Sequence, residues 1–373
     1  MSDPNIRNRK IEHIRIVVEK DVGFPNECSE IYDEIRLIHR AFPGIDLSDV
    51  DLSTRFLNYE LSAPLMISGM TGGDPVTTKY NKKLAVLAEE FRIAIGVGSE
   101  RSLIIHRDEN EIIRSYKVVR EIAKDVPVIG NIGANTLLDL RNEDISYIIS
   151  SIDADALAIH LNPAQEAIQP EGDTRFNAKI LERIEEILDH IGVPIIIKEV
   201  GNGLSYEDVS LFYSMGVRFF DIAGACGTNW ILVEKYRQKD KITTTIADHL
   251  SSWGVPTPIA IIEARAAAPD SFIIASGGVY DGLRAIKNIV LGADLNGVAR
   301  PLIREIYLRG LNAGKAFLET MIKEMKIVSF LIGAKSISEL KKKPFILSSD
   351  MLSYLEQRGI DLREYKEIRG GTE

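Results

Sequence analysis

Four polar residues crowd one stretch of the chain. His160, Asn162, Gln165 and Glu166 open the segment H-L-N-P-A-Q-E-A-I-Q-P-E-G-D-T-R-F, which ends at Phe176. They supply an imidazole, two amides and a carboxylate. Gln165 can donate or accept a hydrogen bond, and Glu166 is a hard oxygen ligand of the kind Mg²⁺ takes. A cation held by one carboxylate draws its remaining ligands from water and substrate phosphate. The apolar run Ala154–Ile159 precedes the cluster and reads as a buried strand. The four side chains therefore stand at a strand's carboxyl end, where parallel α/β proteins bind ligands. A solvated loop would account for a lone Gln-Glu pair, whereas this crowding behind an apolar run points to a site.

Other chemistry-bearing residues end other apolar runs. Lys198 closes P-I-I-I-K-E-V, where an unpaired cation is costly to bury. It is either paired with Glu199 or Asp221, or set beside the electron-rich edge of a flavin, whose reduced form it would stabilise. Thr71, Ser99, Arg101, Asn131 and Thr228 follow further runs. S-G-G-V-Y-D-G (276–282) and G-V-A-R (297–300) come last, and their glycines suit close approach of backbone N–H groups to a phosphate. Near the start stand Arg9 and Lys10, either a solvated basic arm or a clamp for a diphosphate.

Eight such runs must position these residues: Pro64–Met70, Arg92–Gly98, Pro127–Ile132, Ala154–Leu161, Pro194–Val200, Phe219–Gly224, Phe272–Ser276 and Leu295–Ala299. They are continuously apolar rather than alternating, as in strands buried on both faces of a parallel sheet. Segments of helical spacing lie between them, and eight such units in about 250 residues have the dimension of a (β/α)8 barrel. A doubly wound sheet would carry G-x-G-x-x-G after its first strand; S-G-M-T-G-G-D does not match it. The expectation is an α/β protein, a TIM barrel over residues 61–310, with an N-terminal extension (1–60) contributing to the site and a C-terminal helical segment (311–373) packed on the barrel.

Composition is that of a soluble globular protein, with 45% hydrophobic and 27% charged residues. A net charge of −9 argues against a nucleic-acid footprint. Cys28 and Cys226, far apart in sequence, offer no disulfide framework and no C-x-x-C metal site, so a reducing compartment is the default. No run is long enough for a membrane span, and the N-terminus lacks a signal-peptide core. A cytoplasmic location is expected.

Over nearly its whole length the chain resembles the type 2 isopentenyl-diphosphate isomerases, FMN-dependent (β/α)8 enzymes of isoprenoid synthesis. The resemblance is carried by R-K-I-E-H (9–13), S-G-M-T-G-G, G-V-G-S-E-R, G-N-I-G-A-N, the His160 segment through Asp173, I-I-I-K-E-V-G-N-G, G-T-N-W, A-S-G-G-V-Y-D-G and F-L-I-G-A-K. Other FMN barrels share the phosphate-binding pattern but lack the first of these and the His160 segment. The resemblance implies that Met70, Thr71, Gly72, Ser99, Asn131, Lys198 and Thr228 contact FMN, with Gly278, Val279, Tyr280, Ala299 and Arg300 around its phosphate. Arg9, Lys10, His13, Ser99, Arg101, His160, Asn162 and Gln165 would hold the substrate, and Glu166 would bind Mg²⁺ bridged to the diphosphate. Gln165 and Lys198 would act at the reacting carbons and the flavin ring, with acid–base work at N5 of reduced FMN. NAD(P)H as reductant and a homo-oligomer, a tetramer or larger, are implied too.

The chain departs from that pattern at Ala223, where a serine is common, at Cys226 for glycine, and at Glu100 for glutamine. Two rivals remain: an FMN oxidoreductase of the 2-hydroxy-acid or dihydroorotate type, and a non-catalytic flavin-binding barrel. The first places a histidine late in the barrel; here the late histidine is His249, inside the long connection after the sixth run.

Overall fold

The computed structural model describes residues 4–24 and 27–369. Eight parallel strands close into a barrel: β1 Leu65–Ile67, β2 Ala94–Gly96, β3 Val128–Gly133, β4 Ala156–His160, β5 Ile195–Lys198, β6 Phe219–Asp221, β7 Phe272–Ser276 and β8 Leu295–Val298. Each pairs in parallel with the next, and β8 returns to β1. The eight apolar runs are these eight strands. The chain is thus a (β/α)8 barrel, as expected, wrapped by helices whose apolar faces pack onto the strands' outward residues in one continuous core.

Strand parity sorts apolar from polar. Met66, Ala94, Ile129, Ala156, Ala158, Ile196, Ile274 and Leu295 fill the barrel interior. Side chains alternate faces along a strand. Two residues on from an interior apolar residue, Ser68, Asn131, His160, Lys198 and Ser276 therefore also point inward, at the carboxyl-end mouth. Register sets them side by side: His160 is opposite both Gly133 and Lys198, and Lys198 is opposite Asp221.

The other end of the barrel is plugged. Residues Thr54–Phe56 and Tyr59–Leu61 form an antiparallel hairpin that sequence periodicity did not reveal. Phe56 stacks on Phe272 with ring centroids 4.8 Å apart and meets Phe219 edge-on at 6.3 Å. With that end sealed, the carboxyl-end mouth is the open end of the barrel.

The N-terminal helix Pro4–Glu19 crosses this mouth as an arm. At the far end of the chain, Leu311–Leu331 buries Leu318, Met321 and Met325, and Phe345–Ile346 pairs antiparallel with Arg36–Leu37. Among the described residues no helix is long and apolar enough to cross a membrane.

Cys28 and Cys226 form a disulfide, with Cα atoms 5.0 Å apart across 198 positions of sequence. The expectation of no disulfide is therefore corrected. Sequence distance says nothing about proximity once the segment after the arm folds back onto the loop that follows β6.

Candidate active site

One cavity at the mouth gathers the residues that the sequence singles out. Around it stand Arg9, Lys10 and His13 from the arm; Met70, Thr71 and Gly72 after β1; Ser99 and Arg101 after β2; Asn131 from β3; His160, Asn162, Gln165 and Glu166 from β4 onward; Lys198 and Thr228; Gly278, Val279 and Tyr280 after β7; and Ala299 and Arg300 after β8. Ser68, Ala223, Gly277 and Trp230 line it too.

The short helix Pro163–Ile168 sets the geometry of the polar cluster. Proline at its first position costs no hydrogen bond. Spacings of three, four and seven put Asn162, Gln165, Glu166 and Gln169 on one face. Asn162 Nδ2 donates to Glu166 Oε1 (2.9 Å) and to Gln165 Oε1 (3.2 Å). Glu166 Oε2 accepts from Gln169 Nε2 (3.1 Å) and the Asp173 amide (2.6 Å). Burial pushes the Glu166 carboxyl up from its ordinary value, and those donors pull the other way. Asn162 Oδ1 is buried with no partner among the described residues. Glu166 thus has a second hard oxygen beside it, but no group of three His, Cys, Asp or Glu side chains among the described residues could hold a metal.

Behind this wall is a residue whose part is invisible in the sequence. Glu234, on the helix Trp230–Arg237, is fully buried. Its Oε1 accepts from Gln165 Nε2 at 2.7 Å, and Arg237 Nη1 donates to its Oε2 at 2.6 Å. His13 Nε2 lies 2.8 Å from Oε1. Burial alone would raise the Glu234 carboxyl; His13, Arg237 and Gln165 outweigh it and hold it below its usual value. Glu234 therefore stays ionised and, being acceptor-only, fixes which way the Gln165 amide points. Trp230 meets the edge of His13, with centroids 5.2 Å apart.

Lys198 is paired with Asp221 and also lines the cavity. Its Nζ lies 3.8 Å from Asp221 Oδ2 and donates to the Glu199 carbonyl at 2.5 Å, yet it faces the cavity. The Glu199 side chain is not its partner. That carboxylate accepts backbone N–H groups from Val200, Gly201, Asn202 and Gly203, and burial raises it to about 7.

On the neighbouring strand His160 Nδ1 lies 2.8 Å from Asn131 Oδ1. Burial, followed by the charges of Lys198, Arg9 and Lys10, pushes its pKa down to about 3. It meets a ligand as a neutral imidazole. Lys10 Nζ donates to the Ser99 carbonyl (2.9 Å) and the Tyr116 hydroxyl (2.6 Å), while Arg9 Nη1 is 3.6 Å from Glu171. Burial, then the neighbouring Arg9, lowers Lys10 to about 7.

The wall formed by the loops after β1, β6 and β7 is built of glycines and small side chains. Gly277 and Gly278 have φ of 94° and 84°, the left-handed region that glycine tolerates. A Cβ on Gly278 would lie 2.4 Å from the Cys226 carbonyl oxygen. Ser68 Oγ and Thr71 Oγ1 are buried without a hydrogen-bond partner among the described residues. Ala223 lines the cavity at φ 37° and has no hydroxyl to offer. The Arg300 side chain lines the cavity and reaches the arm. Its Nε donates to the Val17 carbonyl (3.0 Å) and its Nη2 to that of Lys20 (2.9 Å), so it grips the end of the arm helix.

Comparison with known proteins agrees with this geometry. The FMN-dependent dehydrogenase family model matches residues 135–347. Solved structures with this fold include a flavocytochrome b2 mutant with pyruvate bound (20% identity, TM-score 0.65, 95% of this chain and 87% of that one). Another is mandelate oxidase with 3,3-difluoro-2-hydroxy-3-phenylpropionic acid (14% identity, TM-score 0.62, 90% and 95%). At such identities the likeness is one of fold. Barrel and family match together place the chain among the FMN-dependent barrel enzymes. Within that class it belongs to the isopentenyl-diphosphate delta-isomerase family. The isopentenyl-diphosphate delta-isomerase of Sulfurisphaera tokodaii is 40% identical, over 99% of both chains, and that of Aeropyrum pernix is 42% identical, over 96% of this chain and 94% of its own.

Proposed function

We propose that the protein interconverts isopentenyl and dimethylallyl diphosphate by moving a proton across an allylic unit, with reduced FMN and Mg²⁺ bound. A hydroxy-acid oxidoreductase on this barrel would need a base to accompany hydride transfer. The cavity's histidines are His13, from the arm, and His160, from β4; His249 is exposed and is not among the cavity-lining residues. The observation that favours isomerisation is Gln165, a neutral amide at the cavity wall locked by the buried, ionised Glu234.

Reduced flavin would supply acid–base chemistry at its N5 edge, which an alkene, a poor base, requires. The chain's own residues do the rest. Lys198, held by Asp221, places a positive charge where the ring would become anionic. Gln165 orients the reacting carbons, and the ionised Glu234 behind it fixes the direction of the amide. Arg9, Lys10 and Arg101 offer cationic contacts to a diphosphate. Glu166 and Asn162 would hold Mg²⁺ only together with the diphosphate and water, since the protein provides too few ligands alone. Remote binding of the diphosphate then positions the alkene. We include in the proposal NAD(P)H as reductant and a homo-oligomeric assembly.

The test is anaerobic turnover of isopentenyl diphosphate with FMN, Mg²⁺ and a reductant, beside oxidised-flavin and EDTA controls. Dimethylallyl diphosphate should form only with reduced flavin and metal, and without net flavin oxidation. Net consumption of an electron acceptor would favour the oxidoreductase instead.

A further inference from the structure

The base of the arm is sewn to the loop after β6. The Asn229 amide donates to the Val22 carbonyl (2.8 Å), Gly23 bridges Thr228, and Cys28 is bonded to Cys226. That loop carries Thr228, and the arm carries Arg9, Lys10 and His13, so the tie joins two walls of the active-site cavity. Among the described residues the disulfide is the covalent part of it.

Both cysteines are nearly inaccessible, at 7% and 3% exposure, but both line a second cavity of about 420 Å³. Arg284, Arg300 and Arg304 stand around it with Phe24, against Asp21 and Glu305, so its charged side chains leave an excess of one positive charge. It is wide enough for a small molecule. Guanidinium groups beside a disulfide attract an anionic attacker and stabilise the thiolate that leaves.

We propose that Cys28–Cys226 is a redox latch on the arm, opened by an anionic low-molecular-weight thiol that enters this second cavity. A thiolate attacks one cysteine sulfur, the S–S bond breaks, and the other cysteine leaves as a thiolate. A second thiol resolves the mixed disulfide. Two thiols become one small disulfide, and two electrons and two protons pass to the cysteines. Opened, the arm loses its covalent tie and keeps its noncovalent contacts, among them the Arg300 grip, the Asn229–Val22 hydrogen bond and the Gly23–Thr228 pairing, so its closed form becomes less populated.

The experiment uses the FMN-loaded full-length protein, oxidised or reduced, with thiol count and intact mass as the chemical readout. Glutathione should open the latch faster than neutral 2-mercaptoethanol at matched thiolate concentration, and salt should erase the difference. If the closed arm falls to roughly a tenth of its population, trypsin cleavage after Lys10 and Arg15 should accelerate roughly tenfold and KM should rise by the same factor at unchanged kcat. Cys28→Ala, which leaves the Cys226 loop intact, should behave as the reduced protein and ignore thiols. The KM readout rests on the activity proposed above; thiol count and trypsin cleavage do not. Free thiols in the oxidised protein, equal rates with the two reagents, or an arm equally resistant in both states would overturn the proposal.

Discussion

Replacing Glu234 by glutamine tests whether the buried carboxylate sets the Gln165 amide. The carboxylate presently accepts from Gln165 Nε2 on one oxygen and from Arg237 Nη1 on the other. An amide has one oxygen and one NH2. Arg237 can only donate, so the new oxygen must face it and the NH2 must face Gln165. Gln165 must then flip, which turns its own NH2 toward Asn162 Nδ2, a donor already committed to Gln165 Oε1 and Glu166 Oε1. One buried hydrogen bond is lost whichever way the amides settle, a cost of about 1–3 kcal/mol. Global stability should fall by no more than that, because Arg237 keeps Glu12 (3.0 Å) and Glu171 (2.7 Å) as partners. If the orientation of Gln165 matters in the transition state, the same energy appears as a loss of about 10- to 100-fold in kcat. The assay is anaerobic turnover with prereduced FMN, separating kcat from KM, together with urea unfolding and flavin titration. Glu234→Asp keeps the charge and should retain more activity than Glu234→Gln. A kcat for Glu234→Gln within threefold of wild type, with flavin bound normally, would refute the reasoning.

Three further outcomes follow from the geometry. Glu166→Gln should raise the Mg²⁺ concentration needed for half-maximal rate by about 10- to 100-fold; an unchanged Mg²⁺ titration removes it as a ligand. Arg300→Lys cannot fork to both the Val17 and Lys20 carbonyls. Losing one charge-assisted bond should raise KM about tenfold while flavin affinity stays constant; a fall in flavin affinity instead would place the side chain at the phosphate. Glu100 is fully buried and its carboxyl is raised to about 8, first by burial and against the pull of the Asn131 amide and Lys10. A carboxyl raised on folding stabilises fully below its unfolded pKa and loses that contribution as pH climbs toward 8. Glu100→Gln should therefore gain stability relative to wild type between pH 5 and 8, by up to a few kcal/mol. Lys10, lowered to about 7, works in the opposite sense because its penalty is present at low pH and fades above 7. A pH-independent difference in urea midpoints would show that Glu100 does not titrate in this range.

The barrel was legible because each strand is short, buried on both faces and closed by a polar residue or glycine. The strand-end cluster was legible for the same reason: parity carries an inward apolar residue such as Ala158 or Ile196 directly to an inward polar one, His160 or Lys198. A continuous apolar run and the polar residue that ends it are properties of neighbouring residues, so sequence holds them.

Glu234 lies in an ordinary amphipathic helix, and only the path of the long connection after β6 brings it behind Gln165, 69 positions away. Folding of the arm over the mouth likewise depends on distant carbonyls and hydroxyls, Ser99 and Tyr116 for Lys10, and Arg300 for the helix end. The Arg300 backbone follows a strand as read, but its guanidinium answers to carbonyls 280 and 283 positions earlier. The disulfide is the clearest case, since two cysteines 198 positions apart carry no mark of pairing until the loop and the arm meet. What the sequence determined by itself was everything set by local periodicity: the strands, their order and the polar crown at their ends. Which of those groups are ionised, which way an amide faces and what holds the arm shut were decided by contacts between residues far apart in the chain, because hydrogen bonds and charges act over a few ångströms of space and not along the sequence.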